Sequence, residues 1–403
     1  MEGDRQVITT YKDNSIPPDS IDFNFINHSN RVGNSLKLGA DYSITDHLII
    51  NGEINYDQHL HNGVNTQTLI LPNPGTKKIN EVDFNNNYDI EGFFDINQTF
   101  ENPDQEFNFA ISYDYQKDNE RESLRSDTTT LYQNINGINI DISYKHPLNE
   151  ISIVELGYDG KINDNTENMD FEIEDFSGNN TFGYNRTIHG FFLEYDYKIS
   201  EKFSIKPSMR YEYISKDISF KSVTSNMASG SNRGGIPEEV EINTSNLYAR
   251  ILSQLDDSNY VDNYSTFYPD LHFTYNITEK QSLQFGLSKR VNRPGDGGHG
   301  GGSRQIRPFP RDVYTDNFIF MGNPFLKPEY STQYELSFKT PLPMGFGYVN
   351  VYYHQLENVI EWYDDDRFDD ADILTFRNAA SGENMGVEVF TMLWDRLLGV
   401  AII

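Results

Sequence analysis

The sequence predicts an all-β fold, a transmembrane antiparallel β-barrel of roughly 12–14 strands. Three observations predict it. Apolar residues recur at every second position over long stretches, the period of a strand with one apolar and one polar face. Nearly the same reversal occurs as ITDH at 44–47, ISEK at 199–202 and ITEK at 277–280, each between two alternating stretches. Such a stretch–reversal–stretch unit reads as a tight hairpin. Long polar segments separate the hairpins, so short turns alternate with long loops along the chain.

The elements follow in order. In the first hairpin Leu36, Leu38, Ala40, Tyr42 and Ile44 lead in, and Leu48, Ile50, Ile54 and Tyr56 lead out. In the second, Phe191, Leu193, Tyr195 and Tyr197 are answered by Phe203, Ile205, Met209, Tyr211 and Tyr213. The third pairs Phe267, Leu271, Phe273 and Tyr275 with Leu283, Phe285, Leu287 and Val291. Pro207 and Pro269 each remove a ladder donor and predict a bulge or tilt. Less regular reversals are FENPDQE at 100–106, KHPLNE at 145–150 and TPLPMG at 340–345, and a last strand runs through Val387 and Val389. The polar stretches 58–80, 117–134, 161–184, 218–263, 293–328 and 359–383 read as long loops, which are uncommon in compact soluble domains.

Two architectures fit this texture: a soluble all-β binding protein, and an outer-membrane barrel with short periplasmic turns and long outer loops. Strands of about 10–15 residues exceed the globular norm and suffice for a tilted crossing. Lys37, Asp41, Glu53, Asp141, Glu194, Asp196, Lys206 and Glu212 lie on the non-apolar faces, as a watery lumen tolerates. Tyr42, Tyr144, Tyr197 and Tyr275 sit just before short turns, as an interfacial aromatic girdle requires. These favour the barrel. It should be antiparallel throughout, with no helix longer than two turns. Leu36, Leu38, Leu48, Ile50, Phe191, Leu193, Phe203, Ile205, Phe273 and Phe285 should point away from its axis.

Composition narrows the function classes. With 61 acidic and 32 basic side chains the formal net charge is -29, which argues against nucleic acid as a partner. The absence of cysteine excludes disulfides and cysteine-ligated zinc. No apolar run approaches the ~20 residues of a membrane helix. The opening MEGDRQVITTYKDN lacks the apolar core of a signal peptide.

A denser motif set lies at SKRVNRP (288–294), IRPF (306–309) and NFIFMGNPFLKPEYSTQYELSF (317–338). It resembles the barrel region of TonB-dependent outer-membrane receptors, specifically the outer-membrane protein β-barrel family common in Bacteroidetes-type bacteria. Ser288, Arg290, Arg293 and Pro294 correspond to the family's S-R-R-x-x-R-P, with Lys289 replacing an arginine. Gly322, Asn323, Pro324, Leu326, Lys327, Pro328 and Glu329 match G-N-P-x-L-K-P-E without a gap. The middle N-P-F element departs, with Arg307 where Asn is usual, after an extra GDGGHGGGSRQ. RNAASGENMGVEV at 377–389 is similar to the next outer loop and returning strand.

The resemblance implies residence in the outer membrane of a Gram-negative bacterium, in contact with its lipid. It implies uptake of a scarce ligand (siderophore, haem, glycan or peptide) without catalysis. The TonB complex is implied as a partner where the parent protein carries a plug. Such receptors have a signal peptide, a TonB box, a plug and a barrel of about 22 strands. Residues 1–403 are therefore expected to be one partial barrel domain, a fragment lacking the plug, that does not close into a stable pore alone. The alternatives are a non-transporting barrel with a structural or adhesive role and the soluble binding protein.

Ligand candidates are few. Arg304, Arg307 and Arg311 cluster in an otherwise acidic chain and would meet an anionic ligand; the plainer reading is charge on a solvated loop. Asp364, Asp365, Asp366, Asp369 and Asp370 form the densest acidic patch. Such oxygens suit Ca²⁺ at an outer loop, yet the spacing is not that of an EF-hand, and a solvated loop tip is the default. No other cofactor is expected. GDGGHGGGSR at 295–304 lacks the GK[ST] and following helix of a phosphate loop. No nucleophile, base and orienter are marked out together.

Overall fold

The computed structural model describes residues 2–12, 20–71, 75–124, 127–173, 176–226, 251, 257–295, 305–309, 318–343, 345–365, 372–394 and 401–402. In chain order the strands are β1 (Glu2–Lys12), β2 (Ser20–Thr45), β3 (Leu48–Leu71), β4 (Gly75–Thr99), β5 (Glu106–Leu124) and β6 (Asp127–Asn149). Then come β7 (Ser152–Ile173), β8 (Phe176–Lys198), β9 (Phe203–Asn226), β10 (Ser258–Thr278), β11 (Gln281–Asn292) and β12 (Phe318–Phe320). The last are β13 (Glu329–Leu342), β14 (Gly345–Glu357), β15 (Ile360–Asp365), β16 (Asp372–Asn378), β17 (Ser381–Trp394) and β18 (Ala401–Ile402). Fifteen of them form one meander in chain order; β12, β16 and β15 form a second, three-stranded sheet. The count exceeds the expected 12–14 because that small sheet and the outermost strands carry no alternation strong enough to be read.

The short reversals hold. Tight connections join β2 to β3, β4 to β5, β6 to β7, β8 to β9, β10 to β11 and β13 to β14. Asn102 and Asn149 side chains each accept a backbone N–H two residues on, the Asx-turn geometry that favours Asn at such positions. One ladder departs from the expected antiparallel rule: β12 pairs with β16 in parallel. Parallel neighbours need a long crossover, and the chain between Phe320 and Asp372 supplies one.

The larger correction concerns the stretches read as loops. Residues 58–71 and 75–80 belong to β3 and β4, 117–124 and 127–134 to β5 and β6, and 161–173 and 176–184 to β7 and β8. Their pairing is unbroken to Leu71↔Gly75, Leu124↔Asp127 and Ile173↔Phe176. β2 to β9 therefore run 19 to 26 residues, about twice the 9–11 of a bilayer crossing. Beyond the crossing the outward side chains meet water, so apolar alternation stops while the ladder continues.

Register explains the rest. Directly opposed residues share a face, and one apolar face runs across the sheet. It passes through Leu38↔Ile54, Phe94↔Ile111 and Ile111↔Ile140. It continues through Leu156↔Leu193, Tyr211↔Phe267 and Phe273↔Phe285, then Phe285↔Leu336, Leu336↔Val351 and Val351↔Val387. All ten residues expected to point outward lie on this belt, and none is buried. Leu38 is 65% and Val387 64% exposed, a density of bare apolar side chains that water does not tolerate. Tyr42, Tyr144, Tyr197 and Tyr275 share that face near the short turns, with Tyr195 stacked on Tyr197 and Phe203 on Tyr275.

The opposite face is polar along the same stretch. Lys37 meets Glu53 and Lys206 meets Glu194, each at 2.6 Å; Asn51 donates to Asp95 at 2.8 Å. The two awkward prolines fall where a flanking ladder gives way. Pairing of β8 with β9 skips from Glu194↔Ser208 to Tyr197↔Ile205, leaving Pro207 in the gap. Pairing of β10 with β11 reaches only Asp270↔Ser288, leaving Pro269 just past its end.

Candidate functional site

At the long ends of β6 to β9 the hydrophobic phase inverts. In β7 the belt residues are Leu156, Tyr158 and Ile162; past them Met169, Phe171 and Ile173, of the other parity, turn to the opposite face and are buried. β9 does the same, from Phe203–Tyr213 at odd positions to Ile214, Ile218 and Phe220 at even ones. β8 contributes Phe182 and Tyr184, and β6 contributes Leu131. The reason is a change of solvent: where belt gives way to water, the outward face turns polar and the inner face acquires something apolar to cover.

What it covers is chain from the motif region. Ile306, Phe309, Met321 and Ile373 complete a single apolar cluster with these inner-wall residues other than Ile214. Phe309 packs against Phe220 and edge-on to Phe182. Gly295, at φ +86°, turns the chain inward after β11; a Cβ there would meet Ile306 at 3.0 Å, so this left-handed position favours glycine.

One ion pair crosses this contact. Arg307 Nη1 donates to Glu167 Oε2 at 2.6 Å, with side chains 4% and 0% exposed. Glu167 Oε1 also accepts from Gln133 at 2.9 Å, and the guanidinium lies 5.2 Å from the Phe309 ring centroid. Toward the belt, Arg293 pairs with Glu212, which Arg210 also binds at 2.8 Å, and Arg210 in turn pairs with Asp159. Arg293 also donates to Tyr268 Oη at 3.2 Å. Burial pushes the Tyr264 hydroxyl up to about 12, with Arg293 acting against it. Burial likewise holds Lys216 below the usual lysine range despite Asp262 at 3.6 Å.

The G-N-P-x-L-K-P-E residues act as a clamp. Gly322 N donates to Arg307 O at 2.8 Å and Asn323 N to Gln305 O at 2.7 Å. The Asn323 side chain accepts from Phe325 N and donates to Phe376 O. Leu326 and Pro328 are buried. Lys327 exchanges backbone bonds with the Asn378 amide at 2.8 and 2.9 Å, and Glu329 accepts from Ile360 N at 2.9 Å. Pro324, between Asn323 and Phe325, fixes its own φ within this clamp. Of the first motif, Ser288 reaches Gln333, Arg290 reaches Asp270 at 3.5 Å, and Pro294 is buried.

The ligand candidates fare differently. Arg307 is brought to the site, but its charge is engaged by Glu167 and sealed from water. Arg304 and Arg311 lie outside the described residues, as do Asp366, Asp369 and Asp370. Asp364 and Asp365 are adjacent in β15, opposite Leu374 and Ile373, and so project to opposite faces. Among the described residues no three His, Asp or Glu side chains gather to hold a metal ion. Nearer the short turns, Glu53, Asp89, Glu91 and Asp114 line an inner-wall cavity of about 530 Å³, a polar surface suited to water or a hydroxyl-rich or cationic solute. Glu167, Gln133 and Phe171 were not legible as site residues. The available signal was the odd-position run Met169, Phe171, Ile173 inside a stretch otherwise read as loop.

The geometry has counterparts. A family model described as the outer membrane protein beta-barrel family matches residues 84–393. The hemophore receptor HasR of Serratia marcescens, solved with its hemophore HasA and heme, aligns over 97% of this chain and 61% of its own, at 12% identity and TM-score 0.51. The ferric yersiniabactin uptake receptor FyuA of Yersinia pestis aligns over 97% and 58%, at 10% identity and TM-score 0.54. The chain thus spans about three fifths of the length of the receptor structures it matches. No curated protein matches it. Among the described residues no helix is long and apolar enough to cross a membrane, which says nothing of strands.

Proposed function

Because the chain belongs to the outer membrane protein beta-barrel family, and so resides in the outer membrane of a Gram-negative bacterium, we propose that it is barrel wall of a TonB-dependent receptor importing a small extracellular ligand. The observation that carries the reading is the two-sided register: one unbroken apolar belt backed by a polar wall that inverts its phase beyond the membrane. A belt facing lipid and a wall facing water are what a conducting or transporting barrel needs, whereas a soluble sheet protein would cover the belt. In this reading the sheet is completed by further strands to about 22, and a plug within it answers to the TonB complex.

Deleting the gene tests the transport reading. Growth would be scored with ferric citrate, haem or a neutral oligosaccharide as the limiting nutrient, with and without a protonophore. Loss of energy-dependent growth on one of the three is the expected result. Unimpaired growth on all of them would favour the non-transporting barrel.

A further inference from the structure

We propose that residues 305–309 and 318–326 form a lid on the inner wall at the outer end of β6 to β9, and that the Arg307–Glu167 ion pair is its latch. The inference goes beyond the import reading and does not require it.

Two kinds of contact hold the lid, and they do different work. Ile306, Phe309 and Met321 are 1%, 1% and 6% exposed against Phe171, Phe182 and Phe220, so lifting the lid exposes a dry apolar interface. That resists opening in proportion to area and is indifferent to small slides. The ion pair supplies position. Glu167 is 0% exposed and sits 140 residues from Arg307 in sequence, with Gln133 and Asn165 donating to the same carboxylate.

The pair also makes the closed state breakable. Arg307 Nε is buried without an acceptor among the described residues. A buried pair of this kind adds little net stability, because both charges regain water on opening. Removing one partner is another matter: it strands the other charge in an apolar site, which destabilises the closed lid relative to an open one that hydrates the charge. Packed interfaces of this type have two arrangements rather than a continuum. The backbone bonds from Gly322 and Asn323 to 307 and 305 tie the two lid segments together, so they lift as one piece.

Residues 1–403 contain no cysteine, so Met321→Cys adds one reporter inside the interface, and the protein without it supplies the labelling background. The experiment uses whole cells displaying the full-length protein and measures labelling by a membrane-impermeant maleimide. With the native pair the cysteine is protected. Adding Arg307→Met should speed labelling by about 100-fold or more, and exchanging the pair (Arg307→Glu with Glu167→Arg) should restore protection. Heat-modifiable migration on gels confirms that the barrel stays folded in each variant. Fast labelling with the native pair overturns the lid. Equal labelling in the Arg307→Met variant, or failure of the exchanged pair to restore protection, overturns the latch.

Discussion

Asn378 shows how much of the outer architecture hangs on single polar side chains. Its amide accepts from Lys327 N and donates to the carbonyls of Lys327 and Asn358, so Asn378→Ala leaves three backbone groups without that partner. At about 1 kcal/mol per net hydrogen bond, the clamp should weaken by roughly 2–3 kcal/mol. Faster hydrogen exchange at the Lys327 amide, which loses its Asn378 acceptor, with the strands still protected, is the expected readout. Lys216 gives a pH signature. Burial lowers its affinity for a proton in the folded state, so the unfolded chain binds more protons. Stability is then fully present above the ordinary lysine range and is lost as pH falls through the folded value. Tyr260, raised by burial, opposes this above pH about 10. Thermal melts below that pH should therefore rise with pH in the parent chain and flatten in Lys216→Met.

Among the elements, β7 carries two chemistries on one ladder. Its early even positions face the belt and its late odd positions face the lid, with the pleat unbroken between them. The two halves should respond separately to substitution. Phe171→Ala, at 1% exposure, should cost about 3–5 kcal/mol of local stability. The effect should appear as faster hydrogen exchange in 169–173 and 305–309, with the belt half unchanged. Ile54→Arg, in a belt residue 62% exposed, should instead cost about 2–4 kcal/mol if it lies at mid-bilayer, read as a lower urea midpoint for unfolding from lipid vesicles. The periodicity of β3 or β8 was legible only over the crossing, because alternation reports a solvent difference between two faces. Where both faces met water or the lid, as in 58–71 and 176–184, the ladder persisted without that signal.

For the whole molecule, the belt predicts which side meets lipid. Ile54→Trp should be strongly quenched by lipids brominated in the acyl chain, and Glu53→Trp, one residue away on the polar wall, should not. Equal quenching at both positions would contradict the two-faced barrel wall. The acidic balance also has a place: Glu53, Asp89, Glu91 and Asp114 stand together around one inner-wall cavity, while Arg210, Arg293 and Arg307 are each paired with a carboxylate elsewhere.

The sequence by itself determined the membrane belt, the six short turns and the family motifs, because each is a local pattern. Period two sets the face, Asn and Asp set several of the turns, and the G-N-P-x-L-K-P-E run is contiguous. Only the tertiary structure shows that Arg307 is buried against Glu167 rather than carried on a solvated loop. Its partner Glu167 lies 140 residues away, and no local pattern records a pairing made by folding one loop onto a distant wall. The same holds for the parallel β12–β16 pair and for the second half of the long strands. Their stability comes from neighbours across the sheet, which hydrophobic periodicity does not encode.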